Sequence, residues 1–272
     1  MVKLRYGKKG GRKVHNYYYL FYSFILYSLL GWIIEVVYHL YKQKKFVNRG
    51  FLHGPLCPIY GSTAVLLIIV VKIFGDSFYS IFLGGVTLAS LMELVTGYIL
   101  EMIFNTKWWD YSKERLNLKG YICLRFSLIW GLLALVFIIL INPNFSKLTY
   151  WTMNNLGEVF YNVILIFLVV DIALTINSMI AFKKLFMELQ EVLLETRNNM
   201  DKLMERTLNA ENKYHVKQRI NYLGELRDRI SDKVSLRHRS MLRAYPHITS
   251  KRFGTAIEEV KKKLEKINKH IS

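Results

Sequence analysis

The chain is poor in cysteine, with only Cys57 and Cys123 in 272 residues. Two thiols cannot build the disulfide framework of a small secreted domain, so stability must come from packing. Proline is also scarce, at four residues, and two of these, Pro55 and Pro58, stand in a single short stretch. Acidic residues number 20 against 38 basic ones, a net charge of +18. No G-x-x-x-x-G-K-[ST] segment occurs, so the chain hydrolyses no nucleotide through a P-loop of its own. Internal repeats and low-complexity tracts are lacking as well. His53, Cys57 and Cys123 show no ligand spacing of a metal site, and no metal or other cofactor is expected. Cys57 as a nucleophile has no partnering base fixed by its neighbours.

Apolar residues, by contrast, make up 52% of the chain and the mean hydropathy is positive. They gather in runs of the ~20 residues needed to cross a ~30 Å hydrocarbon layer. The fold class that follows is all-α: a polytopic membrane helical bundle of about five transmembrane helices with a cytoplasmic helical tail. The expected helices cover residues 17–41, 59–74, 78–104, 121–141 and 156–182, the fourth stopped by Asn142-Pro143. The first run is longer than a signal-peptide core and has no small-residue cleavage site. Residues 1–16 read as a disordered basic tail, 17–182 as the membrane domain and 183–272 as the basic helical, coiled-coil tail.

The excess charge divides evenly, +9 on residues 1–182 and +9 beyond them. Basic residues cluster after the first and third helices and in the tail, which puts those segments in the cytoplasm of a cell-membrane protein. Five spans then place the N-terminus outside, against the weight of its own six basic residues. Such a surface suits anionic lipid, whereas nothing besides charge speaks for nucleic acid. In the tail, Phe182, Leu185, Leu189, Met200, Leu203 and Leu208 recur at helical spacing. That stripe over residues 183–208 suits packing on a second copy of the chain, on a partner or on itself.

The stretch over residues 48–61, N-R-G-F-L-H-G-P-L-C-P-I-Y-G, holds five glycines and prolines between two apolar runs. It cannot form a regular helix, so a broken or re-entrant segment is expected after the first span. Unpaired backbone at membrane depth must be buried in protein or line a wet cavity. The stretch brings Arg49, His53, Cys57 and Tyr60 to the membrane surface, Arg49 reading as an anion site or an interfacial anchor.

Glu35, Glu93, Glu101 and Asp171 lie in apolar helices, where a central carboxylate costs about 2.5–3.5 kcal/mol. Glu93 and Glu101 share a helix face, which suggests a proton or cation relay, or an acid/base pair. Structural pairing with arginine or lysine is the competing reading. Asp110, Ser112, Asn117 and Cys123 complete the polar candidates, all but Glu93 and Asp171 falling on one side of the membrane. Trp108, Trp109 and Tyr111 read as an interfacial aromatic belt.

Five segments together resemble one family. They are G-W-I-I-E (31–35), the stretch over 48–61, E-L-V-T-G-Y-I-L-E (93–101), W-W-D-Y-S (108–112) and N-L-K-G-Y-I-C-L-R-F-S-L-I-W-G (117–131). In this order they are similar to the ABC-transporter type IV, or CmpB-like, membrane proteins, and R-A-Y-P (243–246) extends the likeness into the tail. The chain departs from the pattern at Leu116, where proline is usual, and at Tyr121, where arginine is usual. The resemblance implies a permease-like protein that moves a small or lipid-linked solute with an ATPase subunit. Two other readings stand beside it: a membrane-embedded enzyme acting on a phosphorylated lipid at the cytoplasmic face, and a non-catalytic scaffold or sensor.

Overall fold

The computed structural model describes residues 12–44, 46–204 and 209–271. α1 (Arg12–Gln43) begins inside the segment expected to be a tail, so residues 12–16 are helical, while residues 1–11 lie outside the described residues. The broken stretch follows without regular structure until α2 (Pro58–Phe74). Pro58 starts that helix in the first turn, where a missing N–H breaks no helical bond. α3 (Phe78–Phe104) is capped by Ser77, whose hydroxyl accepts the Ser80 N–H at 3.2 Å, and ends on Asn105 at φ 54°.

Two departures from expectation occur around the fourth helix. Tyr121 to Cys123 are not helical, because β1 (Asn117–Leu118) and β2 (Ile122–Cys123) pair antiparallel around Gly120 at φ 76°. α4 (Leu124–Val136) starts after them. Asn142-Pro143 then fails to stop the chain. A π-helical turn, Phe137–Ile141, leads straight into α5 (Asn142–Met204), with Pro143 in the first turn of that helix. The wider π-turn is the local adjustment that lets a proline follow a helix without clashing with the preceding turn.

Four helical stretches are long and apolar enough to cross a membrane: Tyr17–Lys42, Phe78–Phe104, Leu124–Leu156 and Glu158–Met204. α2, apolar but only 17 residues long, is the helix expected over residues 59–74. α5 doubles back on itself. Phe145 and Tyr150 pack on Tyr27 and Tyr19, running antiparallel to α1, whereas Tyr161 and Leu168 run parallel to it, past Tyr18, Phe21 and Phe24. Small residues set the close approaches: Gly61 of α2 lies on Phe24 and Ser28, and Gly85 of α3 on Gly131 and Ala134.

α5 continues past residue 182 without a break, and α6 (Ala210–Asp232), α7 (Leu236–Ala244) and α8 (Gly254–Ile271) fold onto its far half. Their core is the largest in the protein, with Phe182, Phe186 and Leu189 packed among Leu223, Ile230 and Phe253. The first half of the stripe expected to pack over residues 183–208 is covered by the same chain, at Phe182, Leu185 and Leu189, whereas Met200 is exposed and the last position, Leu208, lies outside the described residues. An amphipathic pattern specifies a buried face and not the identity of what buries it.

Trp108 belongs to this core, edge-on to both Phe51 and Tyr245, so it is a joint between segments and not part of an interfacial belt. Lys107 and Thr249 exchange backbone hydrogen bonds at 2.9 and 3.0 Å, and the Ser250 hydroxyl donates to the Asn105 carbonyl at 2.6 Å. First connection, third connection and tail thus meet on one face of the bundle.

Candidate functional site

The broken stretch poses an accounting problem, since its backbone donors and acceptors have no helix to pair in. Each neighbouring element supplies part of the answer. Trp32 of α1 donates its indole N–H to Asn48 Oδ1 at 2.8 Å, the same oxygen accepts the Gly50 N–H at 2.9 Å, and Asn48 Nδ2 donates to the His53 carbonyl. Asp171 of α5, 4% exposed, accepts the N–H groups of His53 and Gly54 at 2.9 and 3.0 Å. Thr175, one turn further, accepts the His53 N–H and meets its Nδ1 at 2.9 Å. Arg237 of α7 donates to the carbonyls of Phe51 and Leu52, both at 2.9 Å, and the Tyr245 hydroxyl donates to the Arg49 carbonyl at 2.8 Å.

Asp171 is thereby explained as a backbone clamp. Burial and the nearby Arg237 lower the pKa of His53, so its ring is neutral at pH 7 and the 4.0 Å approach to Asp171 is no charged pair. Arg237→Ala would leave two carbonyls without donors, at about 1.5–3 kcal/mol for each charge-assisted bond. We expect a rise of roughly a hundred-fold or more in hydrogen exchange of the α7 amides. Unchanged exchange in that variant would show that the tail is held by its apolar core alone.

Glu35 and Arg49 pair at 2.9 Å, and the Tyr60 hydroxyl donates to the other Glu35 oxygen. The Arg49 guanidinium lies 5.4 Å from the centre of the Tyr245 ring. Pairing with Glu35 and contact with the Tyr245 ring fix the guanidinium in place, and its Nε is buried without a hydrogen-bond partner. Cys57 is buried, and burial followed by the nearby Glu35 pushes its thiol up to about 12. It is protonated at neutral pH and inert as a nucleophile.

Glu93 and Glu101 share a helix but not a site. Glu101 accepts the Tyr121 hydroxyl at 2.7 Å and lies 3.8 Å from both Lys107 and Lys251. It borders a cleft of about 230 Å³ between the third connection and the tail, lined also by Asp110 and Ser112. Asp110 accepts the Ser112 N–H at 3.0 Å and the Ser112 hydroxyl, closing a local turn. Asn117 does similar work, donating to the Glu114 carbonyl at 2.8 Å and accepting the Gly120 N–H. Cys123 is buried at the start of α4.

Glu93 sits deeper, at 8% exposure between α3 and α4. The Tyr111 hydroxyl approaches its Oε1 at 3.5 Å and the Trp130 indole N–H is a second donor at the carboxylate, both contacts being long or poorly aligned. Burial, then the Glu93 charge, raises the pKa of Tyr111, which stays protonated and able to donate. Among the described residues Glu93 pairs with no cationic side chain, unlike Glu35 and Glu101. Within the described residues, no group of three His, Cys, Asp or Glu side chains is placed to hold a metal ion.

The profile of the family described as "Putative ABC-transporter type IV" matches residues 22–176, more than half of the chain. The chain belongs to that family. No curated protein and no solved structure matches it. The matched region spans Trp32, Glu35, Asn48, Arg49, Glu93, Tyr111, Trp130, Asp171 and Thr175, so the family's segment contains both polar clusters and every clamp on the broken stretch except those from Arg237 and Tyr245. Sequence reasoning missed Arg237, Thr175 and Trp130 and took Tyr111 for part of an aromatic belt, whereas its hydroxyl reaches Glu93. Tyr111 and Trp130 stand inside W-W-D-Y-S and the segment over 117–131, while Arg237 is one basic residue among many and carried no signal.

Proposed function

We propose that this membrane protein is a permease-like subunit of the cell membrane that moves a small or lipid-linked solute together with a separate ATPase. The observation that carries the reading is Glu93: a carboxylate inside the bundle, met by the Tyr111 hydroxyl and the Trp130 indole and, among the described residues, paired with no cation. Such residues mark solute or ion paths far more often than they serve stability. The chain has no P-loop, so energy from nucleotide hydrolysis would have to come from another subunit. The basic first and third connections and the tail gather on one face, which under the positive-inside rule is cytoplasmic and is where the ATPase would dock. The lysines and arginines of that face also suit anionic lipid.

Purification in mild detergent, with mass spectrometry of bound proteins and lipids, tests this. A stoichiometric ATPase is the expected result. A retained phospholipid or polyprenyl phosphate with no ATPase would overturn it in favour of lipid chemistry.

A further inference from the structure

The cleft beside Glu101 is walled by two segments that the Lys107 and Thr249 backbone bonds hold together, the third connection and the turn before α8. Its volume of about 230 Å³ falls below the ~300–1,000 Å³ of pockets that enclose whole drug-sized molecules. A head group or a fragment of similar size is what it can hold.

The charges in the cleft are only partly spent. Glu101 stands between Lys107 and Lys251, each ammonium 3.8 Å from one of its oxygens and so beyond hydrogen-bond distance. Lys107 also donates to the Lys119 carbonyl at 2.7 Å, while the Lys251 ammonium makes no hydrogen bond among the described residues. Asp110 gives Oδ1 to the Ser112 N–H and hydroxyl, and among the described residues it pairs with no cation. One cavity is thus lined by an excess of positive charge around Glu101 and by a separate, unpaired carboxylate. A bare anion would meet two carboxylates there, and a bare cation two ammonium groups. A ligand that carries both signs matches both parts.

The level of the cleft in the membrane says where such a ligand comes from. Glu101 lies in the last turn of α3, and Tyr121, which donates to it, lies just before α4. Both spans end there, at the depth of the lipid head groups. Tyr98, Met102 and Ile103, neighbours of Glu101 on α3, are exposed, which leaves acyl chains a path along the helix beside the cleft.

We propose that this cleft binds a phosphate bearing a primary ammonium, the head-group chemistry of an aminophospholipid. Lys107 and Lys251 meet the phosphate and Asp110 the ammonium, through N–H donors that a quaternary ammonium lacks. Neither Glu93 nor an ATPase takes part, so failure of the cleft leaves the permease reading standing, and the reverse holds as well.

Dihexanoyl phosphatidylethanolamine is the probe, titrated by calorimetry into the purified full chain in detergent. Dihexanoyl phosphatidylcholine, dihexanoyl phosphatidylglycerol and free phosphoethanolamine are titrated beside it. The ethanolamine lipid is expected to saturate and to bind about tenfold tighter than the choline and glycerol lipids, with about a tenfold loss in Asp110→Asn and in Lys251→Gln. Both variants spare the fold, since asparagine keeps an acceptor for Ser112 and the Lys251 side chain is 87% exposed. Lys113→Gln, outside the cleft, should change nothing. Free phosphoethanolamine binding as tightly as the lipid supports the same chemistry with a soluble ligand, and weaker binding supports the membrane source. Absence of saturable binding, equal affinity for the choline or glycerol lipid, or unchanged affinity in either variant overturns the proposal.

Discussion

Asp171→Ala is expected to destabilise the protein by about 2–5 kcal/mol, read as a lower melting temperature in detergent. The substitution strips the acceptor from the Gly54 N–H entirely and leaves the His53 N–H only its 3.2 Å contact to Thr175. Both groups belong to a stretch with no helix of its own, so no intrahelical carbonyl can take over. Asp171→Asn keeps one acceptor oxygen and should lose roughly half as much. The pair of variants separates two roles. A proton-relay carboxylate would lose activity on conversion to asparagine while keeping its stability; a backbone clamp loses stability in proportion to the acceptors removed. If both variants melt with the original protein, the clamp is wrong.

Gly61→Ala ranks next. A Cβ on Gly61 would lie 2.1 Å from the Ser28 hydroxyl oxygen and 2.5 Å from the Phe24 carbonyl oxygen. The hydroxyl can turn away, but the carbonyl belongs to the backbone of α1, so α1 and α2 must separate. Separation also strains the Cys57 N–H bond to the Ser28 carbonyl, 3.0 Å long, which anchors the end of the broken stretch. A loss of about 1–3 kcal/mol is expected, and more with valine. Gly224→Ala is the counterpart, since nothing lies within 4 Å of a Cβ there and the residue is inside α6. It should stabilise by about 0.5–1 kcal/mol. Equal melting shifts for the two alanines would refute the packing argument.

These two sites also show what the sequence disclosed. The helix-breaking content of residues 48–57 was plain from their glycines and prolines, and α2 and α3 begin and end within a residue of where apolar length and turn residues put them. Pro143 misled because a proline reads the same whether it ends one helix or opens the next, and only the π-turn before it decides. The carboxylates were visible as costly residues, yet their partners were not. Ion pairs and backbone clamps join positions far apart in sequence, and a single chain carries no periodicity that links Asp171 to Gly54 or Arg237 to Phe51. The amphipathic stripe after residue 182 announced a buried face and withheld its cover, which proved to be α6 to α8.

The long reach of those bonds sets an order on biosynthesis. The groups that satisfy residues 49–54 stand as far as 196 positions downstream, at Tyr245. A ribosome adding about 5–20 residues per second delivers Tyr245 on the order of ten to forty seconds after Arg49. Through that interval α1 and α2 are already available to the insertion machinery, while the segment joining them has only Trp32, Asn48 and Ser28 to bind. Its remaining polar backbone must wait at the wet headgroup layer until Asp171 and then Arg237 and Tyr245 arrive. Insertion of the helices and closure of their first connection are therefore separate events, and the connection that forms first in the chain is the last to be completed.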